Sequence, residues 1–164
     1  MTSHTVFVGL GSNLSDPRAQ VLGALQAMTG LPHTRVSAHS SLFRSAPLGF
    51  LQQPDFINAV VRLDTELAPK AMLGALLELE RKFGRTREFM NAPRTLDLDI
   101  LLYDNLQHHE DGLTIPHPQM HKRAFVLRPL LEIAPDCAIP GIGPAAEALL
   151  QCGSQKLEKI ADAG

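Results

Sequence analysis

The sequence predicts a single domain that mixes β-strands with α-helices. Short apolar or alternating runs closed by Gly, Pro and Asn mark strands, and two longer stretches with apolar residues three and four apart mark helices. A length of 164 residues and a hydrophobic content of 45% suit one core without a linker. No internal repeat or low-complexity segment is found.

Thr5 to Leu10 is a β-branched and apolar run, and Gly9-Leu10-Gly11-Ser12-Asn13 has the composition of a turn that stops this first strand near Leu10. The glycines invite comparison with a phosphate loop. They lack, however, the third glycine of the dinucleotide fingerprint and the Gly-Lys-Ser/Thr of the P-loop. Ser15 or Asp16 caps the first helix, Pro17 lies in its first turn, and Val21, Leu22, Leu25 and Met28 form its inward stripe before Gly30. Thr34 to Arg44 is β-compatible until Pro47-Leu48-Gly49 breaks it, and a loop runs to about Gln53.

Phe56 to Leu63 forms another strand, on which Phe56, Asn58 and Val60 share a face. Pro69 opens the second helix, with Met72, Leu73, Leu76, Leu77, Leu79 and Phe83 inward and Gly84 as its stop. The polar, arginine-rich segment 84–94 suits a phosphate-seeking loop, or simply a solvated charge run. Pro93 to Tyr103 alternates apolar and acidic residues and then turns wholly apolar, as a strand does on entering a core. Gln107 to Gly112 is a polar connection, and Leu113 to Phe125 gathers His, Lys, Arg and an aromatic around two prolines as a rigid, exposed segment. Val126 to Ala134 is a helix stopped by Pro135, and a short helix covers Ala145 to Leu150.

Fifteen basic and seventeen acidic side chains leave a net charge of −2 and an isoelectric point near 6.4, which argues against coating nucleic acid or a membrane surface. The first ten residues lack a basic segment followed by an apolar one, and no apolar run is long enough to span a bilayer. A cytoplasmic monomer is expected, with no nucleic acid and no membrane among its partners. Cys137 and Cys152 lack metal-ligand spacing and are expected to be reduced thiols without a catalytic role. His117 and His121 stand four apart, but Pro118 interrupts and no Glu follows the first, so a zinc site is rejected.

The chemistry concentrates in the acidic strand. Asp97 and Asp99 project from one strand face about 7 Å apart at the backbone, while Leu96, Leu98 and Ile100 turn to the core. Two neighbouring carboxylates repel unless a cation lies between them, and the hard ion that suits such a pair is Mg²⁺. The plainer alternative is a solvated sheet face, although Asp is disfavoured in strands. Asn58 is an amide where apolar packing is expected, which an Asn bonding nearby backbone would also explain. Glu80 extends the inward stripe of its helix at an unfavourable end of the dipole and needs a partner: an Arg, or a ligand hydroxyl or amine.

Four segments together carry a resemblance: Gly9-Leu10-Gly11-Ser12-Asn13-Leu14, Gln53 to Ala59, Pro93 to Leu102, and Leu113 to Phe125. Through them the chain resembles the 6-hydroxymethyl-7,8-dihydropterin pyrophosphokinase (HPPK) family of folate biosynthesis, over nearly its whole length. The resemblance implies one α+β domain over residues 1–164, a ferredoxin-like sandwich with a mainly antiparallel sheet and helices packed on it. It implies transfer of a pyrophosphoryl group from ATP to the hydroxymethyl oxygen of the pterin, releasing AMP. Asp97 and Asp99 match ligands of two Mg²⁺ ions. Phe56 and Phe125 match the aromatics that sandwich the pterin, Asn58 the residue that reads its amide edge, and Ser45 and Leu48 the backbone that completes that pocket. Glu80, Arg85, Arg87, Arg94, Ile100, Thr114, His117 and Arg123 match positions associated with ATP, Arg85 with loop closure, and Arg87, Arg94 and His117 with transfer itself.

Elementary chemistry agrees with these roles. Transfer to an alcohol needs in-line approach and neutralised phosphate charge rather than a covalent nucleophile. A flat heterocycle binds well between aromatic faces, although apart from the resemblance both phenylalanines would be core residues. The chain departs from the commonest family pattern at Ala46, Asn91, Gly112 and Pro118, the last three on the nucleotide side. The competing classes are a Mg²⁺-dependent nucleotidyltransferase, whose palm also carries paired Asp residues, and a non-catalytic ferredoxin-like module that holds a nucleotide.

Overall fold

The computed structural model describes residues 3–14, 16–46, 54–83, 96–153 and 155–161. In chain order the elements are β1 (His4–Ser12), α1 (Pro17–Met28), β2 (Thr34–His39), β3 (Leu42–Ser45), β4 (Phe56–Thr65), α2 (Pro69–Lys82) and β5 (Asp97–Tyr103). There follow β6 (His108–Glu110), β7 (Leu113–Ile115), a short 3₁₀ turn at Met120–Lys122, α3 (Ala124–Ile133), β8 (Ala138–Ile139), β9 (Gly143–Pro144), α4 (Ala145–Leu150) and β10 (Leu157–Ala161).

The main sheet runs β10-β3-β4-β1-β5, with β2 also paired to β4, and its paired strands are antiparallel. Stripped of β10, and with β2 and β3 taken as one interrupted strand, this is the strand order of a ferredoxin-like α+β sandwich. The interruption is at Ser40 and Ser41. The Ser40 hydroxyl accepts the Val60 N–H at 2.9 Å, and Glu132 of α3 accepts the Ser41 N–H, so side chains satisfy backbone donors that a continuous ladder would have paired. The expected single strand from Thr34 to Arg44 is therefore two.

Period-two alternation sorts the sheet into two apolar faces. Val6, Val8 and Leu10 of β1, Ile57, Ala59 and Val61 of β4, and Leu98 and Ile100 of β5 meet α1 and α2 on one side. Phe7, Val60 and Leu101 meet α3 and α4 on the other, through Leu127, Leu130, Ala145 and Ala148. Among the described residues no helix is long and apolar enough to cross a membrane.

Several sequence expectations are corrected. Strand β1 continues through Gly11 to Ser12, two residues beyond its expected stop, because β4 and β5 pair with both sides of it as far as Gly11. Leu22 and Leu77 are exposed rather than inward, Ala24 is buried on α1, and Glu80 is buried on α2 as its place on the inward stripe implied. The polar connection after Gln107 contains strand β6, joined to β7 across Asp111-Gly112, with Gly112 at φ 82° supplying the left-handed turn. Helix α3 begins at Ala124, so Phe125 lies in its first turn, and β8, β9 and β10 are strands beyond those the sequence predicts. Asp16, one of the two expected caps, is the residue that accepts the Ala19 N–H.

Candidate active site

The second sheet face is only partly covered. Where α3 and α4 stop, the floor is made of two rows set by strand register: Val60, Gly9 and Asp99 side by side on β4, β1 and β5, then Asn58, Gly11 and Asp97. The central strand contributes glycines to both rows, so the floor has no side chain between the amide and the carboxylates. A Cβ on Gly11 would lie 3.3 Å from Asn58 Oδ1, and one on Gly9 would lie 3.4 Å from the Leu101 side chain. A strand glycine facing a cleft is a place where a ligand can approach backbone.

This floor opens into a hollow of about 210 Å³. Phe56, Asn58, Asp97, Asp99, His117, Arg123 and Phe125 all line it, so the structure brings together most of the described residues among those singled out from sequence. Ser45 acts on it indirectly: the Asn58 Nδ2 donates to Ser45 Oγ at 2.7 Å, with both residues buried. The partner of Asn58 is thus a side chain across the β3–β4 pair rather than neighbouring backbone. The Arg123 guanidinium lies 5.6 Å from the centroid of the Phe125 ring, within cation–π range.

A second hollow, of about 360 Å³, lies along the outer edge of β5, where Ile100 and Thr114 are among its lining residues. Asp99 and His117 line both hollows and form the wall between them. His109 also faces the second hollow, and its Nδ1 lies 2.8 Å from the Thr114 hydroxyl. No sequence signal marks His109, which is placed here by its pairing with Thr114 across β6 and β7.

His117 is held by a β-bulge. Phe7 pairs with Leu102 and Val8 with Ile100, which leaves Leu101 as an extra residue in β5. The Leu101 carbonyl accepts the His117 N–H at 2.9 Å, fixing the segment after the cis Ile115–Pro116 peptide against the acidic strand. His117 Nδ1 accepts the Gln119 N–H at 3.1 Å, so in the neutral ring the hydrogen resides on Nε2. Burial pushes its pKa below the ordinary value, opposed by the charge of Asp99 and reinforced by that of Arg123.

Glu80 lines neither hollow. Its carboxylate is buried and Oε2 accepts the Leu98 N–H at 2.8 Å, so one of its partners is the backbone of the acidic strand. Leu48, Arg85, Arg87 and Arg94 lie outside the described residues. Cys137 and Cys152 are free thiols, and burial raises the pKa of each.

Among the described residues no cluster of three or more His, Cys, Asp or Glu could form a metal cage. The two aspartates nevertheless fit Mg²⁺ chemically, because that ion is commonly held by one or two carboxylates and completed by substrate phosphates and water.

An antiparallel α+β sandwich with an amide-and-aromatic pocket beside paired carboxylates defines a small-molecule site on a ferredoxin-like sheet. Residues 7–135 match the family model described as 7,8-dihydro-6-hydroxymethylpterin-pyrophosphokinase (HPPK), and the chain belongs to that family. It is 46% identical over 155 residues to the 2-amino-4-hydroxy-6-hydroxymethyldihydropteridine pyrophosphokinase of Pseudomonas aeruginosa, covering 94% of this chain and 96% of the relative. With the protein of the same name from Haemophilus influenzae it shares 43% over 156 residues, covering 95% and 98%. The wild-type HPPK-DHPS of Plasmodium falciparum with STZ-DHP superposes with a TM-score of 0.73 at 12% identity, which shows likeness of fold. That match covers 92% of this chain and 43% of the other, so the chain spans less than half the length of that structure.

Proposed function

We propose that the first hollow seats the pterin and the second the nucleotide, with Asp99 and His117 at the junction where the group is transferred. The reaction is that of the family: ATP and 6-hydroxymethyl-7,8-dihydropterin give AMP and the pterin diphosphate, a step of folate biosynthesis. The pterin hydroxymethyl oxygen forms a bond to the β-phosphorus of ATP, the bond from that phosphorus to the oxygen bridging to the α-phosphorus breaks, and the hydroxyl proton is released.

The observation that carries the assignment is the shared wall. Two hollows with different linings meet at one carboxylate and one imidazole, so ligands in both would present reacting ends to each other. Bringing two reactants into line in this way supplies much of what phosphoryl transfer requires. In the first hollow Phe56 and Phe125 offer aromatic faces to a flat ring, and Asn58, oriented by Ser45, offers its amide to the ring edge. The bare floor at Gly9 and Gly11 leaves room for that ring to lie on the strand. In the second, Ile100 and Thr114 contact the nucleoside.

Asp97 and Asp99 would hold Mg²⁺ together with phosphate oxygens. Bound there, the ion supplies charge neutralisation and alignment of the triphosphate. His117 donates from Nε2 to a phosphate oxygen, and Arg123 leaves Phe125 to pair with phosphate charge. Arg87 and Arg94 are assigned the same electrostatic role, Arg85 loop closure, and Leu48 a backbone contact to the pterin.

The test is the nucleotide product. Purified protein with Mg²⁺, ATP and hydroxymethyldihydropterin is expected to release AMP in step with pterin diphosphate. ADP as the product, or free pyrophosphate, would overturn the assignment.

A further inference from the structure

We propose that Glu80 is a positioning residue, whose buried carboxylate holds the free edge of β5 so that Asp97 and Asp99 keep their projection into the first hollow. Among the described residues the sheet ends at β5, which pairs with β1 on one side. The Leu98 N–H points to the other side, where a further strand would have accepted it. Glu80 Oε2 accepts it at 2.8 Å instead, from the last turns of α2. Glu80 is 2% exposed and lines neither hollow.

Two physical considerations raise this above simple edge protection. A carboxylate near a helix C-terminus faces the negative end of the dipole, and burying it costs more, so α2 gains nothing from Glu80 by itself. Leu98 also stands between Asp97 and Asp99, so a rotation of its peptide plane moves both carboxylates together. Among the described residues no strand pairs with the outer side of β5 at Leu98, and the bond from Glu80 restrains such a rotation there. The carboxylate thus acts on the metal pair through backbone, without touching substrate. The inference rests on the reading of Asp97 and Asp99 as the magnesium pair.

Two substitutions separate hydrogen bonding from charge. Glu80→Gln keeps an acceptor of the same reach without the charge, and Glu80→Asp keeps the charge but withdraws the acceptor by one methylene. The Mg²⁺ concentration for half-maximal AMP formation is expected to stay within about threefold of wild type in Glu80→Gln and to rise by about tenfold in Glu80→Asp. The Leu98 amide should remain protected from hydrogen exchange in Glu80→Gln and lose protection in Glu80→Asp. The reverse order, equal effects or no effect of either substitution would overturn the proposal. If Glu80→Asp does not fold, loss of Leu98 protection in Glu80→Gln overturns it and retention supports it. Asp97→Asn, assayed alongside, separates the two layers: an unchanged magnesium response there sinks the metal reading and this inference with it. A changed response with no separation between the Glu80 variants sinks the Glu80 inference alone.

Discussion

Asn58 and Ser45 form a buried pair in which the amide nitrogen donates to the hydroxyl at 2.7 Å across the β3–β4 ladder. Neither residue of the pair is more than 5% exposed, so each would be costly to leave unpartnered. The bond turns the rest of the amide towards Gly11 and the hollow. Ser45 thus sets the orientation of a group that meets the ligand without lining the hollow itself.

Removing that constraint should be visible as a loss of pterin recognition. Ser45→Ala is expected to raise the KM for the pterin about 5- to 30-fold, equivalent to about 1–2 kcal/mol, and to leave the KM for ATP near wild type. Steady-state kinetics with each substrate varied in turn decides it; equal changes in both KM values would count against the orienting role.

Gly11→Ala tests the floor. The added methyl would sit 3.3 Å from Asn58 Oδ1, in the space proposed for the ring. The methyl crowds the buried Asn58 amide, so the stability measured by thermal unfolding is expected to fall by about 1–2 kcal/mol while the pterin KM rises about tenfold. A variant that binds pterin as wild type does would show that the ring lies elsewhere.

Asp97→Asn and Asp99→Asn should each lower kcat by about 10²–10³-fold, the cost of losing one electrostatic contact to the transferring group. Folding is expected to change little, because Asn is nearly isosteric with Asp and keeps an oxygen acceptor at each position. Circular dichroism and thermal melts alongside product assays separate the two effects, and near-wild-type turnover in both variants would remove the metal assignment.

The depressed pKa of His117 has a signature in stability. Its ring stays neutral in the fold below its ordinary value of 6.5, where the unfolded chain already takes up the proton. The unfolded state therefore binds more protons in that window, and stability should fall as pH drops from neutrality through 6.5 towards the lower folded value. His117→Gln should flatten this part of the curve. Urea midpoints measured across that range would show it, and parallel curves for the two proteins would refute the idea.

Much of this protein was legible without coordinates because its signals are local. The alternation in Asp97-Leu98-Asp99-Ile100 put two carboxylates on one face, and the Asp16 cap of α1, the opening Pro69 of α2 and their apolar stripes located both helices. The Phe56 and Asn58 face of β4 was likewise set by period two. What escaped depended on partners distant in sequence. Gly9 and Gly11 have the composition of a turn, yet pairing with β4 and β5 holds them in a strand, since two ladders outweigh the weak preference of glycine for turns. The bulge at Leu101 exists only relative to β1, and the Glu80 bond to Leu98 only at β5, where the sheet ends among the described residues. Sequence by itself determined which residue types could do the chemistry, because side-chain periodicity follows from backbone geometry. Tertiary structure alone decided which of them meet, because register and sheet order arise from contacts between segments far apart along the chain.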